Sequence, residues 1–553
     1  MRCQWVAVFL LWAGGAFAAF QLTWGVPAVT LDTNPPIGDS DVDPDIAVDP
    51  LGNAVAVWGR THGGRAAEDI WAASYNHGSR IWSGPVQIST GGSAAHPSVV
   101  MDQEGNATFV WEEGFPSQIH SRTLSAAGVW SPPLHLPPAP VANSLYSQER
   151  PKIAIAEEGR IIAIWLESVK GRSRVWSASI APNTSHWETA TPLSPKGWNA
   201  KITSSNALAL NATGSAAVVW QTDTTEEPQI FISRYTTEGW TDPMLVAQGT
   251  EPVVVMDPSD VALILWSQDG MIYSASLAGQ NLSDAVAVSS AQFLAQRPSA
   301  AMDAAGNCVA VFERFDLEKA HKFIMGANLN RGDGAWTSPI EISIPSPAEA
   351  VAAGCPRLRL NAIGDGVVIW KEFDGERMAI QGAGYSLGTW SSIRSLSSAT
   401  SNVGALAGSY DIAVSVNNAG NIMAIWPEDP TGAQVQQIKA APGVGLAVTG
   451  PRSPMLADAE SLLVGIGKGR QELHRFPAHS DLINYLEWSA SAETVAFYRI
   501  YRGNLRTLVG TSLSPRYEDH QRVIGQKELY LITAVDAFDH ESGPMAIVVS
   551  PIK

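Results

Sequence analysis

Eight times along this sequence a short apolar segment runs into a tight turn, and a second apolar segment leaves the turn to end on an aromatic residue. The first copy spans Asp43 to Trp58, with Asp49-Pro50-Leu51-Gly52-Asn53 at its centre. The closing aromatics are Trp58, Trp111, Trp165, Trp220, Trp266, Phe312, Trp370 and Trp426, at intervals of 53, 54, 55, 46, 46, 58 and 56 residues. Self-similarity at such a period marks an array of structural repeats.

Each repeat holds four extended segments. In the first, Asp45 to Val48 is followed by the turn. Ala54 to Trp58 comes next, apolar throughout as in a strand covered on both faces. Ile70 to Tyr75 follows, then a short segment opened by Trp82-Ser83-Gly84-Pro85. That opening returns at Trp130, Trp240 and Trp336, and more loosely at Trp187 and Trp390. Four strands per roughly 50 residues is the pattern of β-propeller blades. The eighth repeat lacks its fourth segment, whereas Trp24 to Leu31 is a fourth segment without a repeat before it. Pairing the two would close a ring and remove two exposed sheet edges. The fold class expected is all-β: an eight-bladed β-propeller closed by an N-terminal strand. Seven blades is the alternative, should the weak fourth or fifth repeat be misread.

A Gly- and Pro-rich stretch after Ala441 reads as a linker. Beyond it the pattern changes. Leu486-Glu487-Trp488, Tyr498 to Arg502, Tyr517-Glu518-Asp519 and Leu529 to Asp536 resemble a fibronectin type III domain, with Asp539 to Ser542 at the last hairpin. That resemblance implies a spacer or adhesion sandwich and no chemistry. The domain reading is a signal peptide at 1–18, a propeller at 22–441, a linker at 442–455 and the fibronectin-like domain at 456–553.

The signal reading rests on Arg2, the apolar run Trp5 to Phe17 and the small-x-small site Ala16-Phe17-Ala18. The run is shorter than the roughly 20 residues a spanning helix needs. The chain is therefore expected to be exported, to a periplasmic, cell-surface or secreted location, with no integral membrane segment after cleavage. Net charge is −17, which argues against a nucleic-acid partner, because phosphate binding needs a basic face. Sequons occur at Asn106, Asn183, Asn211 and Asn281. Cys308 opens the second strand of the sixth repeat and Cys355 the first strand of the seventh. Antiparallel strands would hold them roughly 15–20 Å apart, beyond the ~7 Å Cα limit of a disulfide, so two free thiols are expected.

Asp49, Asp102, Asp257 and Asp303 sit where an Asp side chain caps a turn. They read as turn formers, one per blade and too far apart to share an ion. The candidate ligand ring lies past the closing aromatics: Arg60, Glu112, Glu113, Glu167, Glu313, Arg314, Glu372 and Glu428, with Thr222 and Gln268 at the equivalent places. In a propeller these would surround one channel mouth. No His or Cys pattern with metal spacing and no nucleophile elbow occurs, so no metal, cofactor or catalytic residue is expected. Sialidase-type Asp boxes and the quinone-dependent dehydrogenase repeat are absent. Arg331-Gly332-Asp333 reads as an ordinary turn. The favoured reading is a non-enzymatic binding or scaffold protein for a protein or glycan ligand. The alternative is a glycan-acting hydrolase using a carboxylate pair from the ring.

Overall fold

The computed structural model describes residues 21–446 apart from 25–27, 33–38, 63–66, 138–145, 205, 224–226, 318–320, 333, 344–351, 374–376, 387, 399–402, 404–411 and 430–435. Beyond these it describes 468–475, 480–488, 497–502, 507–524, 526–535 and 545–551. The signal segment, Asp333 and most of the expected linker lie outside the described residues. The described residues contain strands and turns and no helix, hence none long and apolar enough to cross a membrane.

The chain divides into two units, one of them Leu22–Gly445. Its sheets follow one plan. In the first, Ser40–Val48 is innermost, then Ala54–Thr61, Ala67–Asn76 and the short outer strand Ile81–Trp82. Six further sheets repeat this order, and one of these joins two such arrays through a single parallel pair, Lys322 with Ala352. The inner strands after the first are Ala94–Met101, Tyr146–Ile155, Leu208–Leu210, Thr250–Met256, Leu294–Met302, Ala352–Leu360 and Ala413–Val416. Each packs beside the next, and the last packs beside Ser40–Val48. This is a β-propeller arrangement, and it puts the hydrophobic core between sheets. Ala47, Val57 and Ile70 of the first sheet meet Phe109 and Trp111 of the second. Ile46, Ala54 and Trp58 meet Ile425 and Ile438 of the last. All eight closing aromatics are buried, so the repeat period is the period of this packing.

The last sheet takes its outer strands from the other end of the chain. Gln21–Trp24 pairs with Gln437–Leu446, and Val29–Thr30 pairs with Ala440 and Lys439. Strand Gln437–Leu446 runs through Pro442-Gly443, where the sequence suggests a linker. Asn421 to Glu428 pair with it from Val444 to Gln437. Gly443 is required there: a Cβ would stand 2.9 Å from Cε3 of Trp24. Trp24 also reaches Gly382 of the preceding sheet, as Trp390 reaches Gly326 one sheet earlier.

The Asp turns form as expected. Asp49 accepts the Asn53 amide N–H and the Asn53 side-chain N–H, both at 2.8 Å. Asn53 in turn accepts the His77 N–H at 3.0 Å, tying the first turn of the sheet to the second. Asp102–Asn106 and Asp303–Asn307 repeat the arrangement. Neighbouring turns are nearer to one another than the sequence suggests. A Cβ on Gly105 would lie 3.1 Å from Asp49 Oδ2. Where Asn replaces Asp, the spare amide donates to the next sheet: Asn211 to the Asp257 carbonyl at 3.4 Å and Asn361 to that of Asn417 at 3.4 Å. Two sequon residues, Asn106 and Asn211, are thereby occupied, whereas Asn183 and Asn281 are exposed. Cys308 and Cys355 are both buried and unbridged.

The second unit contains a three-stranded sheet, Lys468–Arg475, Ser480–Glu487 and Arg516–Asp519, and a four-stranded one in the order Thr507–Ser512, Phe497–Arg502, Glu528–Val535, Met545–Val549. Leu486 and Trp488 pack on Ile500, Tyr530 and Ile547 between them.

Candidate functional site

Successive strand side chains alternate in direction, so the residue two past a closing aromatic points the same way as the aromatic. That parity decides what the candidate ring does. Trp111 Nε1–H donates to Glu113 at 2.7 Å, Trp370 to Glu372 at 2.8 Å, Trp426 to Glu428 at 2.7 Å and Trp266 to Gln268 at 3.2 Å. A buried indole N–H needs an acceptor, and these side chains supply it. Glu113 also accepts the Thr90 N–H at 2.9 Å. His120 lies 3.6 Å from it, stacked on Trp111.

Other members hold one sheet to the next. Six inner strands carry a bulge at an X-Pro step, with Asp43, His96, Arg150, Glu251, Arg297 and Cys355 at positive φ. Such strain persists where surrounding structure over-determines it. Here carboxylates of the preceding sheet grip the bulge: Glu112 accepts the Arg150 N–H at 2.6 Å, Glu313 the Cys355 N–H at 2.8 Å and Glu251 the Arg297 N–H at 2.8 Å. Glu313, only 1% exposed, also takes Arg297 Nη1 at 3.2 Å and Gln296 Nε2 at 2.9 Å.

Arg60 is buried against Asp41 at 3.0 Å, pairs with Asp32 of the closing segment, and lies 4.4 Å over the Trp71 ring. Arg314 lies between Phe293 and Phe323 at 4.4 and 4.6 Å and faces Glu341 at 3.4 Å. Thr222 is buried. Glu167 stands opposite Arg174 in register; burial raises its carboxyl pKa, and Arg174 counteracts this. The predicted residues therefore occupy corresponding positions at the ends of the second strands, tied to their own or neighbouring sheets.

Sequence reasoning passed over a second set of charges. The inner strands surround a central channel of about 520 Å³ lined by residues of every sheet. Asp45, Lys152 and Arg357 each follow the Pro of their bulge and so share one layer of the ring; Arg359 lies two residues further along its strand. Arg150 and Asp43 add charges at the bulges, and all six residues line the channel. Arg359 Nη1 reaches Asn206 Oδ1 at 3.4 Å, crossing from the seventh sheet to the fourth, and donates to the Leu358 carbonyl at 2.9 Å. Burial lowers the pKa of Lys152, against the pull of Asp45 and Asp43. It lowers that of Arg359 in the same way, against Asp45. The available signal was a charged residue directly after Pro, where other repeats carry Ser or Val.

Among the described residues no group of three or more His, Cys, Asp or Glu is placed to hold a metal ion. Arg331 of the Arg-Gly-Asp tripeptide pairs with Asp257 at 3.0 Å.

No protein-family model matches the chain, and no curated protein matches it. Among solved structures it is similar to the Dos1 propeller, with 10% identity, 75% of this chain and 94% of that chain covered, and a TM-score of 0.43. A protein of unknown function from Dyadobacter fermentans is 10% identical, with 77% and 99% covered and a TM-score of 0.38. The α-L-arabinofuranosidase of Fusarium graminearum is 10% identical over 56% of this chain and 99% of its own, with a TM-score of 0.35. No residue role is carried from these proteins to this chain.

Proposed function

We propose that this chain is an exported, non-enzymatic binding or scaffold protein: an eight-bladed propeller closed by the Trp24 strand, followed by a fibronectin type III-like sandwich. It presents the propeller face at the ends of the second strands to a protein or glycan. The carrying observation is what the ring carboxylates do. Glu113, Glu372 and Glu428 accept structural indole N–H groups, and Glu112 and Glu313 accept backbone N–H groups of the next sheet. Glycoside hydrolysis asks for two carboxyls free to exchange protons across one concave site. The loops at this end also expose apolar side chains, Phe115 at 99% and Leu317 at 67%, as binding surfaces do. Export rests on the Arg2 and Trp5 to Phe17 pattern.

A hydrolase remains the second reading on one specific observation: burial raises the Glu167 carboxyl, the tuning a general acid needs. The test is a glycan-array and protein-capture assay on the full chain, alongside Phe115→Ser and Glu167→Gln. Capture without turnover, weakened by Phe115→Ser, supports the binding reading. Glycan turnover that disappears in Glu167→Gln overturns it.

A further inference from the structure

We infer that the channel mouth beside the Asp turns is an apolar cup that receives the end of an alkyl chain from a non-anionic amphiphile. The inner strands reach this mouth at their far ends: Val48 lies opposite Ala54, whereas Ser40 lies opposite Thr61, where the second strand ends. The cup is thus at the other end of the strands from the ring carboxylates, and it does not depend on what that face binds.

Three observations carry it. First, the inner strands end on a collar of hydrocarbon. The residue directly before the turn is apolar in all eight copies: Met101, Met256 and Met302, with Val, Ile or Leu in the others. The residue before that is Ala or Val in six copies, with Arg359 and Ser415 in the other two. Both layers line the channel, Val416 apart. A side chain that only packed between sheets would be enclosed, as Leu358 is at 0%. Met101, Leu210 and Met302 instead keep part of their surface open. All residues of both layers and of their turns are among the described residues. Second, the cup has a floor. Asn206 takes the place that Pro takes in six other inner strands. Its carbonyl accepts the Val254 N–H at 2.9 Å, its side-chain amide donates to the Ala300 carbonyl at 3.0 Å and its Oδ1 accepts Arg359 Nη1 at 3.4 Å. One residue of the fourth sheet thereby ties the fifth, sixth and seventh together, two to three residues in from their turns. Third, the polar groups of the rim are engaged with one another. Asp49, Asp102 and Asp303 accept N–H groups of their own turns, and Asn361 and Asn417 donate to the next turn. Leu51 and Ile363 stand on this rim 74% and 66% exposed.

The chemistry of the ligand follows from the walls. A peptide or glycan carries N–H, C=O or hydroxyl groups that need partners once enclosed, and the groups at this rim already have theirs. An alkyl chain needs none, and its transfer out of water is favourable. The methionines suit such a guest, because an unbranched thioether adapts to irregular apolar shapes. Two layers at ~3.3 Å per residue give a depth of roughly 7 Å, so the cup holds the end of a chain and leaves its head group outside. That head meets the turn tips, where Glu104 and Glu157 are exposed, and like charge disfavours a carboxylate or phosphate there.

The experiment titrates the full chain with methyl, hexyl and octyl glucoside below their micelle-forming concentrations, read by calorimetry and by thermal shift. Saturable binding of octyl glucoside is expected, strengthening about fourfold per added CH₂ and so about sixteenfold from hexyl to octyl. Methyl glucoside should not bind, and octanoate should bind at least threefold more weakly than octyl glucoside. Ala154→Phe, which fills the cup, should weaken octyl glucoside at least tenfold. A variant-free check is oxidation by hydrogen peroxide followed by mass spectrometry. Octyl glucoside should shield Met101 and Met302 and leave Met244, on an outer strand, unaffected. The inference fails if methyl glucoside binds as well as octyl glucoside, which would make the occupant a glycan. It fails if acetyl-Leu-Leu-amide binds more tightly than octyl glucoside, which would make it a peptide. It fails equally if octanoate binds as tightly, or if Met101 and Met302 oxidise alike with and without octyl glucoside.

Discussion

Asn417 donates its side-chain amide to the carbonyl oxygens of Asp49 at 2.9 Å and Pro50 at 3.2 Å, joining turns 368 residues apart in the chain. Its Oδ1 meanwhile accepts the Asn421 N–H at 2.9 Å and shapes its own turn. The two functions separate by substitution. Asn417→Asp keeps the acceptor and loses the donors, so it should cost about 1 kcal/mol. Asn417→Ala loses both and should cost about 2–3 kcal/mol. Urea unfolding of the two variants measures the difference; equal effects would mean the hydrogen bond from the Asn421 N–H contributes nothing.

The indole–carboxylate pairs predict another graded series. Glu113→Gln leaves an acceptor for Trp111, while Glu113→Ala leaves a buried N–H unsatisfied at about 1–3 kcal/mol. The melting temperature should fall clearly for Ala and only slightly for Gln. A larger loss with Gln would show that charge, not hydrogen bonding, matters at this place.

Closure at Trp24 is tested from the other side of the contact. Gly443→Ala puts a Cβ within 3 Å of the indole, and overpacking of this kind costs about 1–3 kcal/mol. The same change at Gly84, which has open space around it, is the control. Equal melting temperatures for both variants would remove Trp24 from the last sheet.

His62 gives a pH dependence. Hydrogen bonds from its ring to Asp69 and Asp39, each 2.8 Å, raise its pKa above the usual 6.5. A raised folded pKa means that the native state holds the proton more tightly. The stabilisation is fully present below about pH 6.5 and is lost as pH rises through the raised value. The side chain is 38% exposed, so solvent screening keeps the effect under about 1 kcal/mol. His62→Gln should flatten the stability profile between pH 6 and 8; an unchanged slope would assign it to other groups.

The thiols provide a chemical check. Burial raises the pKa of both Cys308 and Cys355, and thiolate is the reactive form. Iodoacetamide should leave both unmodified in the native protein and alkylate both once it is denatured without reductant. A bridge would block alkylation in either state.

The strand centres were legible because the apolar stretches ending in Trp58, Trp111 and the rest carry the packing period directly. The Asp49-type turns were legible because their hydrogen bonds are local. Gly443 was misread because a glycine admitting a distant indole looks the same in sequence as one marking a linker. Glu113 and Glu428 looked like ligand groups until their parity with Trp111 and Trp426 was matched to a hydrogen bond. Lys152 and Arg357 line one channel only because the inner strands of their sheets surround it, and nothing local to either residue encodes that.

Pairing Gln21–Trp24 with Gln437–Leu446 also imposes a timetable on synthesis. At about 5–20 residues per second, about 20–80 s separate the emergence of the first strand from that of its partner. Through that interval the early sheets can stack in order while the seam between first and last stays open. Sealing it is a long-range step of high entropic cost, so substitutions at the seam should govern yield during biosynthesis as well as stability once folded.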